Sequence, residues 1–554
     1  MTGAAPAPTL RALAWADAVA ARLRAIEAMP LPANIGALLD LACAEAPDRV
    51  ALSFIATGEV LTYAALREAV DRTANGMRRA GIRHGTHVAV MLPNVAAMPI
   101  TWLALARIGA VMVPVNVRYT ATELDYVLAD SEASHLILHH EYLPVLEASS
   151  QQAALAGRIH VLGTVATPHL AWEALGEGEE TRFTPDAVPE RDDLMNIQYT
   201  SGTTGFPKGC MLTQRYWLTC ARAYSECDGL AFRDILAGNP FFYMTPQWLT
   251  LMAFFQRATL HVGPHRSLTH YVEWIRERNI EFCLFPPNIH DTQPPRDTDR
   301  CPSMKRGNLY LHNKTRHAEM ERRFGFPLRT AFGMTEIGMG LFTPLEAVEM
   351  TGSGSCGIAG PFREVRIASP EGATVPHGET GELLIRGPGM LRGYYNNPDA
   401  TAAAFHGEWF RTGDLAHQDA RGFVWIVGRI KDMVRRAGES IAAAEVESVL
   451  GGLEGIAEAV VVPVPDPLRG EEVKAYLRLK PGIMPSDLPP ERVIAHCEQH
   501  LAVFKVPRYL EYRTAPFPLS AAGSKVNKPA LVREAADLVA TAWDRLAARA
   551  KAAG

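Results

Sequence analysis

The feature that most limits the fold is an alternation of short apolar runs and helical segments in the first third of the chain. His87 to Leu92 is apolar and bounded by Gly85 and Pro93, as a strand buried on both faces of a parallel sheet would be. Ala96–Ile108 then reads as a helix, Val111–Val115 as a strand, Thr122–Ser131 as a helix and His135–Leu138 as a strand. Upstream, Asn34–Glu45 reads as a helix and Val50–Phe54 as a strand. Leu61-Thr62-Tyr63 opens a helix through Arg79, with Leu66, Val70, Ala74 and Met77 at helical spacing. Such alternation predicts an α/β fold of stacked βα units with parallel sheets.

At 554 residues the chain exceeds one ordinary domain. Phe254–Val262 and Glu281–Phe285 continue the strand pattern, and Pro286–Arg306, rich in proline and polar residues, reads as a surface loop. A strand-rich stretch starts at Gly381–Arg386. After Gly428-Arg429 the character changes. A helix over Ala442–Leu450, strands near Ala459–Val462 and Glu472–Leu479, and a helix over Pro490–Gln499 make a small α+β unit, closed by an exposed helix from Lys528 to about Ala552. The division expected is an N-terminal extension over 1–33, a large domain over 34–430 and a small one over 431–554.

Several function classes drop out. A net charge of −5 leaves no basic footprint for nucleic acid. Eight cysteines without a CxxC pair suit a reducing, cytoplasmic setting and offer neither a disulfide framework nor a zinc site. Val95–Val115 has the length of a membrane span, but Pro99 and Gly109 interrupt it and Arg107 would lie near mid-membrane. A buried helix running into a strand explains it better, so no integral membrane segment is expected. The first thirty residues lack the continuous apolar run of a signal peptide and read as an amphipathic helix. Gly352–Gly357 fits GxGxxG without a preceding apolar strand, and His135, His139 and His140 have no acidic co-ligands.

The chemistry concentrates in Tyr199-Thr200-Ser201-Gly202-Thr203-Thr204-Gly205-Phe206-Pro207-Lys208-Gly209-Cys210. Glycines let the backbone approach a ligand, successive N–H groups form a nest for anions, and hydroxyls and a lysine add donors and charge. The stretch reads as a polyphosphate cradle. It is not a Walker A loop, because Lys208 is followed by Gly209 and the glycine spacing differs. Asn196-Ile197-Gln198 reads as a preceding strand and Gln214 as the start of a following helix, the order expected for phosphate at a helix N-terminus.

This stretch resembles the signature loop of the adenylate-forming superfamily: acyl-CoA synthetases, adenylation domains of peptide synthetases, and luciferases. Further motifs follow in the family's order. Ala331-Phe332-Gly333-Met334-Thr335-Glu336 resembles the Tyr-Gly-x-Thr-Glu motif, with Phe332 in place of tyrosine. Trp409-Phe410-Arg411-Thr412-Gly413-Asp414 resembles the ribose motif, and Gly428-Arg429-Ile430-Lys431-Asp432 the hinge. Arg436-Ala437-Gly438-Glu439-Ser440-Ile441 matches the loop beside the pantetheine tunnel of CoA ligases. Gly381-Glu382-Leu383 and Gly393-Tyr394-Tyr395 are structural matches. The resemblance spans about Asn34 to Lys528.

The resemblance implies ATP, Mg²⁺ and CoA as cofactors and a small-molecule carboxylic acid as substrate. It implies a large multi-subdomain N-terminal domain of stacked βα sheets and a small mobile C-terminal domain, acting as a monomer or homodimer. Thr200, Ser201, Gly202, Thr203, Thr204, Gly205 and Lys208 would hold the phosphates. Phe332 would stack on adenine, Thr335 contact the phosphate, Glu336 and Thr203 serve Mg²⁺, and Asp414 with Arg429 take the ribose hydroxyls. Lys431 would be the pivot and Gly438 would flank the CoA channel. Lys525, with Lys528 as fallback, would supply positive charge to the carboxylate and α-phosphate during adenylation, although Ser524 separates it from Gly523 where the family has Gly-Lys. The usual glycine-rich adenine loop is replaced by Leu309-Tyr310-Leu311-His312-Asn313-Lys314.

The segment Asn239–Trp248 lies where the family places its acyl pocket and is similar to ligases of the carnitine/crotonobetaine type. Tyr243 and Trp248 could face a quaternary ammonium through cation–π contact worth ~0.5–2 kcal/mol, or could pack around an apolar acyl chain. The function implied is an ATP-dependent acid–CoA ligase. A ligase loading a carrier-protein phosphopantetheine, a luciferase-like oxygenase and a non-catalytic nucleotide binder share most of these motifs.

Overall fold

The computed structural model describes residues 15–165, 168–200, 207–265, 267–310, 314–437, 439–519, 526–535 and 537–553. Among these residues four sheets form. A seven-stranded sheet runs in the order Leu170–Ala171, Ile159–Leu162, His135–His139, His87–Met91, Val111–Pro114, Leu194–Thr200, Lys208–Thr213. Its pairs are parallel except the last. A nine-stranded sheet has a parallel centre, with Val50–Phe54, Thr259–Val262, Asp234–Ala237, Phe282–Leu284, Arg306–Leu309 and Leu328–Met334 side by side. The expected βα stacking is present.

Between these sheets lie the helices Tyr63–Arg79, Ala97–Ile108, Gln214–Glu226 and Met244–Gln256. One apolar core joins Val88 and Met112 of the first sheet, Leu52 and Ile235 of the second, and Leu66, Trp102, Trp217 and Trp248 of the helices. Local chemistry sets the ends: Thr62 caps its helix by accepting from the Ala65 N–H, and Gly109 ends the next in the left-handed conformation. A helix buried on all sides needs apolar residues all round, which is why Ala97–Ile108 imitates a membrane span. Arg107 is answered by Asp40 and by Asp71 at 2.8 Å. No helix of the described residues is long and apolar enough to cross a membrane.

A third sheet holds Glu364–Ala368, Gly381–Arg386, Phe405–His406, Trp409–Gln418 and Val424–Arg429. The fourth belongs to the C-terminal part. Ile456–Asp466 and Gly470–Leu479 form a long hairpin, joined by Met433–Arg436, Glu439–Ala442, Tyr509–Tyr512 and Trp543–Asp544. Helices Ala443–Gly451 and Pro490–His500 cover it over a separate core. The N-terminal helix Ala16–Ala28 is tied to the large unit. Arg22 pairs with Glu346 (2.8 Å) and donates to the Cys227 carbonyl (2.8 Å).

The structure corrects four local expectations. Phe254–Gln256 belong to the helix Met244–Gln256, and only Thr259–Val262 is strand; an uninterrupted apolar run does not distinguish a buried helix from a buried strand. Pro286–Arg306 is no mere surface loop. It contains the helix Asn288–Thr292, buries Cys301 and Met304, and ends on Arg306, which is fully buried and paired with Asp228. The closing helix is two short ones, Lys528–Arg533 and Arg545–Ala553, separated by the strand Trp543–Asp544. Finally, a strand, Lys208–Thr213, intervenes between the signature stretch and its helix.

Candidate active site

That extra strand changes the physics of the phosphate cradle. Leu194–Thr200 and Lys208–Thr213 pair antiparallel with Thr200 opposite Lys208, so the glycine-rich segment joins the strands of a β-hairpin. It is not the N-terminal turn of Gln214–Glu226, and helix-dipole assistance at that end does not apply. Among the described residues of this hairpin, Lys208 is the source of positive charge next to the signature stretch. Ser201, Gly202, Thr203, Thr204 and Gly205 lie outside the described residues. Thr200 donates to the Lys208 carbonyl at 3.5 Å. Gly209 is required by close approach: a Cβ there would lie 2.6 Å from Ile197 Cγ2. Helix Ala121–Asp130 steadies the hairpin, with Tyr126 donating to the Pro207 carbonyl (2.9 Å) and Tyr199 donating to Asp130 (2.6 Å).

Residues 391–395 run across this hairpin. The Met211 N–H donates to the Gly393 carbonyl (2.9 Å), the Arg392 N–H to the Met211 carbonyl (2.9 Å), and the Tyr395 N–H to the Gly209 carbonyl (2.8 Å). The same segment reaches the Thr335–Glu336 turn, where the Leu391 N–H donates to the Glu336 carbonyl (2.7 Å). That turn joins Leu328–Met334 to Gly338–Phe342. Glu336 is buried at 8% exposure, and its Oε1 accepts from the Tyr394 hydroxyl at 3.0 Å. Burial raises the carboxyl's pKa, opposed first by a backbone hydrogen bond of Glu336 itself, then by the Tyr394 hydrogen bond and by the charges of Arg429 and Lys208. Both cations therefore act on Glu336 from other segments. Thr335 is half-buried beside it, and Phe332, also half-buried, packs on the rim of the main core.

Asp414 and Arg429 face each other across the third sheet in register, and the Arg429 Nε donates to Asp414 Oδ1 at 2.9 Å. Asp414 is 4% exposed. Its own N–H donates to the Thr412 hydroxyl (3.1 Å), which in turn donates to the Leu383 carbonyl (2.8 Å). Lys208, Glu336, Asp414 and Arg429, from four separate stretches of chain, thus converge on one region. Immediately after, Ile430–Asp432 is one 3₁₀ turn with Lys431 exposed. Gly438 and Lys525 lie outside the described residues. Lys528, the fallback for Lys525, pairs with Glu447 at 2.8 Å.

The acyl segment is held by buried amides. Asn196 donates to Gln247 Oε1 (3.0 Å), Gln247 to the Phe241 carbonyl (3.0 Å), Gln198 to the Phe242 carbonyl (2.7 Å), and the Trp102 indole to Asn196 (3.1 Å). The phosphate hairpin and the stretch before Tyr243 are therefore one hydrogen-bonded piece. Tyr243 is half-buried before the helix Met244–Gln256. Trp248 is 2% exposed and stacked on Tyr224, ring centroids 3.9 Å apart and planes 13° from parallel. With that face taken, Trp248 backs Tyr224 rather than meeting a cation. The Tyr224 hydroxyl lies 2.9 Å from the Tyr310 hydroxyl, in the stretch that replaces the usual adenine loop. Cys210 is fully buried, with its thiol pushed well above its usual pKa by desolvation and by Glu336, so it is not placed to act as a nucleophile.

Mg²⁺ takes one or two protein carboxylates and completes its shell with phosphate and water. A single buried glutamate, Glu336, on which the Lys208 charge acts, fits that pattern. Among the described residues no group of three or more His, Cys, Asp or Glu side chains forms a self-contained metal cage.

Two residues in this architecture were not singled out from sequence. Tyr394 stood only as part of a structural match. Arg363, 6% exposed, donates to the carbonyls of Ile337 (2.6 and 3.0 Å), Phe362 (2.8 Å), Pro388 (2.7 Å) and Gly389 (3.2 Å), locking the Glu336 turn to the segment leading into 391–395. Burial lowers its pKa to about 10. Nothing in the local sequence marks an arginine that serves carbonyls; for Tyr394 the preceding Gly393 was the local signal.

Comparison with known proteins agrees with this geometry. Residues 39–395 match the model of the AMP-binding enzyme family, and residues 445–523 that of the AMP-binding enzyme C-terminal domain. A feruloyl-CoA synthase of an Amycolatopsis species is 32% identical over 472 residues, covering 84% of this chain and 92% of that protein. A crotonobetaine/carnitine–CoA ligase of Salmonella arizonae is 32% identical over 502 residues, covering 87% and 95%. An ATP-bound RpMatB–BxBclM chimera superposes with a TM-score of 0.83 at 26% identity, over 92% of this chain and all of that one (100%). The family match covers well over half the chain, and this chain belongs to the AMP-binding enzyme family.

Proposed function

We propose that this chain is an ATP-dependent carboxylic acid–CoA ligase running two half-reactions at one site. A carboxylate is a poor acyl donor because its leaving group would be oxide. In the first half-reaction a carboxylate oxygen attacks the α-phosphorus of ATP, the bond to the bridging oxygen breaks, and pyrophosphate leaves with its electron pair. In the second, the CoA sulfur attacks the acyl carbon, the thiol proton goes to solvent, and AMP leaves. The observation that carries this reading is the convergence of Lys208, Glu336, Asp414 and Arg429. The names of the similar CoA synthase and CoA ligase support it.

Under this reading Lys208 and the segment 200–205 hold the β- and γ-phosphates, Phe332 packs on adenine and Thr335 contacts the α-phosphate. Asp414 and Arg429 take the ribose hydroxyls, where a carboxylate gives short charge-assisted bonds. Glu336 and Thr203 would hold Mg²⁺, which neutralises phosphate charge when bound. Lys525 supplies positive charge to the carboxylate and α-phosphate during adenylation. The segment 431–554 then turns about Lys431, withdrawing Lys525 and bringing Gly438 to the CoA channel. Residues 34–430 form the nucleotide-binding domain. Tyr243 lines the acyl pocket, and Trp248 supports its wall through Tyr224. The acid is small or medium-sized, with aromatic and carnitine-like acids as the candidates that the relatives' names supply. Eight free, buried cysteines support a cytoplasmic location, and we expect a monomer or homodimer.

Incubation with ATP, Mg²⁺, CoA and a panel of aromatic, carnitine-like and short aliphatic acids tests this, with AMP and acyl-CoA followed by mass spectrometry. Matched AMP and thioester are expected for at least one acid. AMP without thioester would point to carrier-protein loading, and no AMP across the panel would sink the ligase reading. Lys525→Ala should abolish adenylation yet spare thioester formation from supplied acyl-AMP; equal loss of both halves overturns its assignment.

A further inference from the structure

Tyr394 touches both charged groups assigned to the triphosphate end of ATP. Its ring lies under Lys208, with the ammonium 4.5 Å from the centroid, and its hydroxyl donates to Glu336 Oε1 at 3.0 Å. Its backbone bridges to Cys210 inside the phosphate hairpin, and the neighbouring Leu391 N–H holds the Glu336 carbonyl. The residue is 6% exposed, and its own N–H donates to Thr401 Oγ1 at 2.9 Å.

We propose that Tyr394 is the positioning residue of the metal–triphosphate end of the site, holding the Glu336 carboxylate by its hydroxyl and the Lys208 ammonium by its ring. The inference rests on the ligase reading above. Without the hydroxyl the buried carboxylate keeps only its local backbone hydrogen bond and is drawn toward the nearest charge, and Lys208 is close enough to act on it. The hydroxyl occupies Oε1 and, together with the local backbone hydrogen bond to the same carboxylate, fixes the plane in which the group meets a cation. Outer donors of this kind orient metal-binding side chains. The ring offers Lys208 a face that attracts the ammonium without neutralising it, so the charge stays available for phosphate. One side chain thereby sets the spacing of the two groups, one opening a strand and one in a turn, that must grip the same triphosphate.

The test is thermal stabilisation by ATP, titrated with Mg²⁺ and repeated in EDTA, on wild type, Tyr394→Phe and Tyr394→Leu. Phenylalanine keeps the ring and loses the donor. Its half-saturating Mg²⁺ concentration should rise by roughly tenfold or more, while its response to ATP in EDTA stays that of wild type. Leucine removes both contacts and should also weaken the EDTA response. In Glu336→Gln the additional Tyr394→Phe change should have no further effect on the Mg²⁺ requirement, since the carboxylate it positions is gone. An unchanged Mg²⁺ requirement in Tyr394→Phe, or equal loss with and without Mg²⁺, overturns the role of Tyr394 and leaves the ligase reading standing. A wild-type protein that ATP and Mg²⁺ fail to stabilise overturns both.

Discussion

Asp414 is where a single side chain says most about the nucleotide. The residue is 4% exposed, its carboxylate accepts from Arg429 opposite it in strand register, and its backbone N–H is held by Thr412. Hydrogen bonds to a charged acceptor are worth about 1.5–3 kcal/mol, so Asp414→Asn should weaken ATP binding by roughly ten- to a hundredfold. Calorimetric titration checks this, and an affinity within twofold of wild type would remove Asp414 from the ribose site. The four converging charged residues were readable because each sits in a short string of glycine, threonine and aromatic residues in a set order. Arg363 and Tyr394 were not. The partners that matter, Ile337, Pro388 and Gly389 for Arg363 and Glu336 and Lys208 for Tyr394, lie far off in the chain, and carbonyl-binding arginines or carboxylate-orienting tyrosines have no spacing of their own.

At the level of elements, the strands His87–Met91, Val111–Pro114 and His135–His139 were legible because buried parallel strands are short, apolar and punctuated by glycine and proline. Lys208–Thr213 was not, since a strand opening with lysine and glycine looks like the end of a loop, and its pairing with Leu194–Thr200 is a tertiary fact. Pairing also decides a pH dependence. His160 lies opposite Ile137, is 3% exposed, and its Nδ1 has no hydrogen-bond partner among the described residues. Burial, reinforced by nearby His135, lowers its pKa from 6.5 to about 4. The unfolded chain then binds the proton more readily than the folded one. The contribution is intact above pH 6.5 and is lost as pH falls toward 4, amounting to roughly 3 kcal/mol at full extent. The melting temperature of His160→Leu should therefore decline less steeply than that of wild type between pH 6.5 and 4. Parallel pH profiles would show that His160 is not the group titrating.

At the scale of the whole molecule, the core of residues 434–543 is distinct from the large core that joins the first two sheets, so the two parts should unfold as separate calorimetric transitions. Lys474 separates them experimentally. It is fully buried in the long C-terminal hairpin, paired with Glu511 and donating to the Leu538 carbonyl. Lys474→Met leaves Glu511 and that carbonyl without their cation, a loss of about 3 kcal/mol. The transition assigned to the small part should fall while the other holds its temperature; a shift of both would mean that the cores melt as one. The strap formed by residues 391–395 has a different consequence, for the time course of biosynthesis. The hairpin at 209–211 receives its neighbour, and Glu336 its donor, only after the chain has been extended to residue 395. At a translation rate of about 5–20 residues per second, the hairpin waits roughly 10–40 s on the ribosome for that strand. Nucleotide therefore cannot act as a folding ligand for the early nascent chain, and products terminated before that point carry the signature stretch without the grip that makes it a site.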